Sequence, residues 1–322
     1  MRDQLDPQHD ILWFDDGNVV VAARGMSFKL HKSVLALHST VFLELFDSLD
    51  TSESHLHGGC PVLCVNDYGP DLARLLLVVY GSDRRYFARD KPLSFSELRS
   101  VALLAQKYQI EEIISEACAC LKIAFTAQMN DEAYWERPAE YIRSGPTNPL
   151  WCEDRDLVGV VSLARAVRCP SVEVMALYHC CRIGAGVLFS GVQYDDMEVE
   201  LSREDLRTCV NATDLLYQHN TYVMNALTDM FAYPSETPRI IPCRTSADCK
   251  NALGLLIASG LQNEQFSSPR ALECLDRWID EQSEMCYGCR EALKNVVNER
   301  RKEVFDQLGA MFGVEPWPPV DS

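Results

Sequence analysis

The spacing of apolar residues changes from the period of a strand to the period of a helix within residues 19–49. Apolar and polar residues alternate from Met26 to Leu30, as in a half-buried strand, and the apolar run Val19–Ala23 predicts its partner strand. After His31 the apolar residues recur at helical spacing, namely Phe42, Leu45, Phe46 and Leu49. A hairpin followed directly by an amphipathic helix favours a mixed α+β fold for this region.

One further strand and three further helices complete the predicted N-terminal region. Residues 61–65 form a short run of strand formers, and apolar stripes of helical period follow as far as Leu121. Ser94 and Glu97 fit a capping box at the start of one of these helices. Residues 12–125 are therefore predicted to form a small three-stranded sheet flanked by helices.

A change of pattern after residue 125 predicts a second domain, in agreement with the length of 322 residues. Scattered prolines and aromatic residues in 126–156 predict a linker, and helical stripes return in 157–322, which is predicted to be an α-helical domain. Ser268–Pro269 is interpreted there as the start of the last helical region. The basic cluster 300–302 lies among acidic residues and is interpreted as a solvated helix face.

Composition limits the classes of partner. The 47 acidic residues exceed the 30 basic ones, and the net charge of -17 argues against binding to nucleic acid or to an anionic membrane surface. No apolar run approaches the roughly 18 residues of a membrane span, and the first eight residues lack the pattern of a secretory signal. We therefore expect a cytoplasmic or nuclear protein whose 14 cysteines are thiols.

The order of the elements and the residues at their junctions resemble the BTB/POZ family. Residues 28–36 resemble the strand-to-helix junction of that family, 39–46 its next helix, and 75–80 and 104–108 its later helices. The resemblance assigns structural roles to Asp16, Phe28, His31, Lys32, Tyr80 and Tyr108. In particular, it implies that His31 is a structural residue at a strand end, paired with Asp16.

The resemblance implies a function in binding other proteins. BTB/POZ domains bind themselves or partner proteins through surfaces, so the chain is expected to be a non-catalytic interaction module. The expected protein-binding residues are Phe42, Leu45, Phe46 and Leu49.

An alternative function is that of a substrate adaptor for a cullin-type ubiquitin ligase. Some BTB proteins are aided in this role by an apolar-x-Glu motif just after the helix at 42–46. This chain has Leu49-Asp50-Thr51 at that place, without the glutamate. The adaptor function is therefore the alternative, and a cullin is a candidate partner.

Two further expectations follow from the resemblance. Family dimers usually rest on a helix before the first strand, but only about a dozen polar residues precede Trp13. We therefore expect a monomer or a dimer without domain swapping. The segment around Trp13 and the tail around Cys286, Cys289 and Trp317 also resemble BTB proteins of filamentous fungi, which carry a helical region of unassigned role.

Two cysteine pairs, Cys243-x5-Cys249 and Cys286-x2-Cys289, have a spacing that could supply four thiolates to a structural zinc ion. Because Cys286 and Cys289 fall at i and i+3 of a predicted helix, packed core thiols are the preferred interpretation. A zinc ion and a regulatory disulfide are the alternatives.

Sequence motifs of catalysis give no support to an enzyme. The sequence contains no G-x-S-x-G, no G-x-x-x-x-G-K and no H-E-x-x-H, so neither catalytic residues nor a cofactor are predicted. An enzyme with its catalytic groups in the helical part is the competing class, and it predicts a deep pocket with converging ionisable groups.

Overall fold

The computed structural model describes residues 6–49, 52, 56–81, 92–125, 150–194, 197–232, 243 and 245–317. The chain divides into two compact units. The first contains Met1–Ala124, Pro146–Cys152 and Leu163–Cys169. The second contains Phe125–Gly145, Glu153–Ser162 and Pro170–Ser322. Most of the predicted linker, 126–149, lies outside the described residues, as do Asp50 and Thr51.

A mixed β-sheet forms the centre of the first unit. Its strands in the described residues are β1 (Gln8–Trp13), β2 (Val19–Arg24), β3 (Met26–Leu30), β4 (Leu56–His57) and β5 (Cys60–Tyr68). Their order across the sheet is β1-β3-β2-β5-β4. The central strand β2 is antiparallel to β3 and parallel to β5. The sheet thus has two strands, β1 and β4, beyond the three that the sequence predicts.

Helices pack around this sheet. They are α1 (Lys32–His38), α2 (Thr40–Asp47), α3 (Gly69–Val79), α4 (Phe95–Lys107) and α5 (Glu111–Phe125). Between α3 and α4 the short strand β6 (Leu93–Ser94) pairs in parallel with β7 (Leu150–Trp151). The predicted capping box of Ser94 and Glu97 begins α4. The α+β class predicted for this region is confirmed.

The apolar stripes of the sequence form the core of the first unit. Val19, Val20 and Val21 of β2 are fully buried, as are Phe28 and Leu30 of β3. The predicted hairpin turn between these strands lies at Gly25, whose φ of +79° is a conformation that glycine adopts without steric cost. Burial and turn chemistry therefore agree with the strand assignment from sequence.

The chain from residue 150 onward is mostly α-helical, as predicted. Its helices are α6 (Leu157–Ala166), α7 (Pro170–Cys180), α8 (Ala185–Ser190), α9 (Arg203–Ala232), α10 (Ser246–Gln262), α11 (Asp276–Asp280), α12 (Tyr287–Asp306) and α13 (Leu308–Phe312). A small hairpin of β8 (Val192–Tyr194) and β9 (Met197–Val199) precedes α9. None of the helices in the described ranges combines the length and the hydropathy that crossing a membrane requires.

Two predictions for the second unit were wrong. Ser268–Pro269 begins no helix, because it forms a bend after a short 3-10 turn at Gln265–Ser267. The basic cluster 300–302 is only partly a solvated face, because Arg301 is fully buried. The hydrogen bonds of Leu272 explain both errors. The N–H of Leu272 donates to the Tyr178 hydroxyl, and the carbonyl of Leu272 accepts from the Arg301 guanidinium. Distant side chains thus satisfy the backbone of this segment in place of helical hydrogen bonds, and the same contact buries Arg301.

Candidate functional site

The strand-to-helix junction at His31 is held by contacts with two separate segments. The backbone N–H of His31 donates to the Tyr80 hydroxyl at 2.8 Å, and its Nε2 lies 3.1 Å from Asp16 Oδ1. The Phe14 ring stacks on Tyr80, with a centroid separation of 4.9 Å, and lies 5.1 Å from the His31 ring. The hydrogen bond from His31 lowers the pKa of Asp16 below its ordinary value. This geometry fits the structural role that the sequence assigns to His31, Asp16 and Tyr80.

The other residues to which the resemblance assigns a structural role also make contacts within the domain. The backbone N–H of Lys32 donates to Asn18 Oδ1 at 2.8 Å, and Phe28 is fully buried. Tyr108 is buried too, and its hydroxyl donates to the Asp67 carboxylate, which also accepts from Lys107 Nζ. Burial and the neighbouring Asp67 raise the pKa of Tyr108. Because Asp67 is itself almost completely buried, these donors compensate the cost of removing its charge from water.

The predicted binding residues of α2 divide into two groups. Phe42 is 1% exposed and stacks on Tyr108, with the two ring centroids 4.2 Å apart. It therefore belongs to the core, which corrects its assignment as a residue that contacts partners. Leu45, Phe46 and Leu49 are half-buried and keep part of their apolar surface exposed to solvent.

Two leucines that the sequence analysis did not select are more exposed than any of these. Leu37 of α1 is 80% exposed and Leu43 of α2 is 46% exposed. The two helices pack against each other, and only Ser39 separates them in the chain. We refer to five of the exposed or half-buried apolar residues of these helices and the turn after them as the α1–α2 surface, namely Leu37, Leu43, Leu45, Phe46 and Leu49. Its sequence signal is the unbroken apolar run from Val34 to Leu37, of which only Leu35 is buried.

The position of the first strand, β1, is relevant to whether the chain forms a domain-swapped dimer. β1 pairs in parallel with β3 of the same chain, with Gln8 opposite Ser27 and Trp13 opposite Lys29. The segment before the central strands is thus extended and lies at an edge of the sheet. The absence of domain swapping stays a prediction.

A second cluster of chemically reactive side chains lies in the second unit. The sulfur atoms of Cys243, Cys249, Cys286 and Cys289 all lie within 4.8 Å of one another. Cys249 and Cys289 are buried, and Cys243 and Cys286 are half-buried. We call this group the four-cysteine cluster. The two pairs that the sequence spacing singles out are thus neighbours in space.

A surface depression of about 260 Å³ in the second unit is lined in part by Glu273, Arg277 and Glu281. Arg277 lies 3.3 Å from Glu281, and Arg270 lies 3.3 Å from Glu273. Charges that pair with a neighbour on the same surface are typical of a solvated protein exterior. The depression therefore gives no positive support to the competing enzyme hypothesis.

The first unit combines a mixed β-sheet flanked by helices with exposed apolar residues on α1 and α2. Residues 15–122, about a third of the chain, match the family model of the BTB/POZ domain. The chain thus contains a BTB/POZ domain, as its sequence predicts, and this family is one of protein-interaction domains without catalytic activity. A search of curated proteins found no match to the chain.

Proposed function

We propose that the chain is a non-catalytic interaction protein whose BTB/POZ domain binds a partner protein through the α1–α2 surface. The observation that supports this proposal is the exposure of Leu37, at 80%, and of Leu43, at 46%, on two adjoining helices. Apolar residues that adjoin one another on a protein surface mark contact sites, and the packing of α1 against α2 places these two leucines on neighbouring helices. Leu45, Phe46 and Leu49 at the C-terminal part of α2 are half-buried and add further accessible apolar area.

The charges around this surface favour an apolar contact with a polar rim. Glu44 and Asp47 of α2 are exposed, and Lys32 Nζ lies 5.9 Å from the centroid of the Phe46 ring. Apolar centres surrounded by charged residues are the usual anatomy of specific interfaces. A partner with an apolar anchor and a basic rim fits this arrangement and the net charge of -17.

A pair of substitutions in the full-length chain tests the proposal. Leu37→Asp combined with Leu43→Asp places two charges on the α1–α2 surface, whereas Ile123→Asp changes a residue of α5 that is 56% exposed in the same domain. Each chain is used for affinity purification from its native cells, and the bound proteins are quantified by mass spectrometry. Loss of an anchor costs about 2 kcal/mol or more, which corresponds to a Kd at least ~30-fold higher.

We expect the double variant to lose the specific partners and Ile123→Asp to keep them, with circular dichroism showing that both variants fold. Retention of every specific partner by the folded double variant would refute the α1–α2 surface as the binding site. Partners lost equally from both variants would show that no particular surface of the domain is responsible, and would refute it as well.

The adaptor alternative is tested with a purified cullin. The half-buried apolar side chains at the end of α2 support it, and the absence of glutamate from Leu49-Asp50-Thr51 argues against it. Direct binding that is lost on Phe46→Asp would favour the adaptor function. No binding at micromolar cullin concentration would remove it and leave the general interaction function intact.

A further inference from the structure

The four-cysteine cluster has the geometry of a metal site. The sulfurs of Cys243 and Cys286 are 3.9 Å apart, and all four sulfurs lie within 4.8 Å of one another. Four thiolates around a zinc ion have Zn–S distances of about 2.3 Å, which places the sulfurs of a regular tetrahedron ~3.8 Å apart. The observed separation matches that value, and it is far longer than the roughly 2.05 Å of a disulfide bond.

The fold brings the cysteines together at the N-terminal ends of two helices. Cys249 lies in the first turn of α10, and Cys243 lies just before that helix. Cys286 is the N-cap residue of α12, and Cys289 lies in the first turn of that helix. Both helix dipoles therefore present their positive ends to the sulfurs, which favours the thiolate form that a metal requires.

Hydrogen bonds also favour a thiolate within the cluster. The backbone N–H of Cys286 donates to the sulfur of Cys249 at 3.2 Å, and the Thr245 hydroxyl lies 3.4 Å from the same sulfur. Backbone N–H donors of this kind also fix the orientation of a metal-bound sulfur.

We propose that the four-cysteine cluster binds one zinc ion as a closed structural site. All four coordination positions are filled by the chain, so no position remains for a water or a substrate. Binding releases the thiol protons to solvent and leaves four thiolates around a divalent cation. The ion cross-links the N-terminal ends of α10 and α12 and thereby stabilises the second unit. This site is independent of the proposed BTB interaction.

The first test measures the metal content of the full-length chain. The protein is purified without chelators, and metals are quantified by inductively coupled plasma mass spectrometry. We expect one zinc per chain in the unmodified protein and little zinc in a variant carrying Cys249→Ser and Cys286→Ser. The matched control carries Cys60→Ser and Cys64→Ser in β5, which removes two thiols outside the cluster and is expected to keep its zinc.

A second measurement on the unmodified protein covers the case in which the cysteine variant fails to fold. Zinc is removed with a strong chelator and replaced by Co²⁺, which gives intense thiolate charge-transfer and tetrahedral ligand-field bands when it has four sulfur ligands. We expect these bands to appear and to disappear when zinc is added back. Chelation is also expected to lower the melting temperature of the full chain, and zinc is expected to restore it.

The inference is overturned if the unmodified chain carries no stoichiometric zinc and Co²⁺ produces no thiolate bands. It is also overturned if the chain carries iron instead of zinc, or if the control variant loses as much zinc as the cluster variant.

Discussion

Replacing Arg301 by methionine is expected to destabilise the second unit. The guanidinium is fully buried, and its Nε and Nη2 donate to the carbonyl of Leu272 at 3.1 and 2.6 Å. Its Nη1 donates to Asn298 Oδ1 at 2.6 Å. These bonds hold the irregular segment before α11 against α12, since Leu272 has no helical partner for its carbonyl. Burial lowers the pKa of Arg301, because it removes the guanidinium charge from water.

The expected loss in the free energy of unfolding follows from the polar groups that Arg301→Met leaves without hydrogen-bond partners. The Leu272 carbonyl loses its donors at a cost of about 1–3 kcal/mol, and the half-buried Asn298 loses its donor at a cost of ~1 kcal/mol. Methionine fills most of the space and regains ~1 kcal/mol of apolar burial. The net loss is therefore about 1–3 kcal/mol, or a melting temperature lowered by roughly 2–12 °C for a unit of this size.

The assay is urea denaturation of the full-length chain followed by circular dichroism. Lys302→Met serves as the control, because it removes a neighbouring charge from an exposed position of the same helix. Arg301→Lys keeps the charge without the forked donors and should lose an intermediate amount. Ordinary surface substitutions change the free energy of unfolding by less than about 0.5 kcal/mol. A difference of that size between Arg301→Met and Lys302→Met would refute the proposed role of the Arg301 hydrogen bonds.

Two further predictions concern buried polar residues. Burial, reinforced by Arg182, holds the pKa of His179 well below its ordinary 6.5. The unfolded chain therefore takes up more protons than the folded one below pH 6.5. The free energy of unfolding should then fall with decreasing pH, by up to about 1.4 kcal/mol per pH unit. In a series of denaturation curves at different pH values, the free energy of unfolding of His179→Gln should depend less steeply on pH than that of the unmodified chain. An equally steep dependence in both proteins would contradict this prediction. In the BTB/POZ domain, Tyr108→Phe removes a donor from the buried Asp67 and should cost about 1.5–3 kcal/mol in chemical denaturation. Tyr68→Phe, which lies outside this hydrogen-bonded group, is its control, and an equal cost for both would count against the buried carboxylate as the cause.

Features that depend on near neighbours in sequence were predictable. Ser39 caps α2 by accepting from the N–H of Phe42, and Ser202 accepts from the N–H of Asp205 at the start of α9. Both caps follow from residue type and spacing alone, because donor and acceptor lie three residues apart. The hairpin turn at Gly25 was predictable for the same reason.

Features that depend on residues far away in the sequence were not predictable from it. The segment Gln8–Trp13 is polar at its start and becomes a strand because β3, many residues later, supplies its hydrogen bonds. Arg301 resembles its solvated neighbour Lys302 in sequence, and only the carbonyl of Leu272, 29 positions earlier, explains its burial. Phe42 lies in an apolar stripe whose spacing does not separate a core face from a binding face, and only the stacked Tyr108 ring shows that it belongs to the core. In each case the deciding contact is long-range, and periodicity carries no information about it.

The cysteines show how local and distant information combine. A helical i, i+3 spacing of Cys286 and Cys289 is compatible with two packed core thiols, and for that reason the sequence favours the simpler interpretation. The spacing cannot reveal that α10 and α12 begin side by side. That packing brings the sulfur of Cys249 to within hydrogen-bond distance of the N–H of Cys286. A core of thiols would need no such convergence of helix N-termini, whereas a metal ion held by thiolates gains from both dipoles. The long-range packing therefore changes the preferred interpretation from buried hydrophobes to a zinc-binding group.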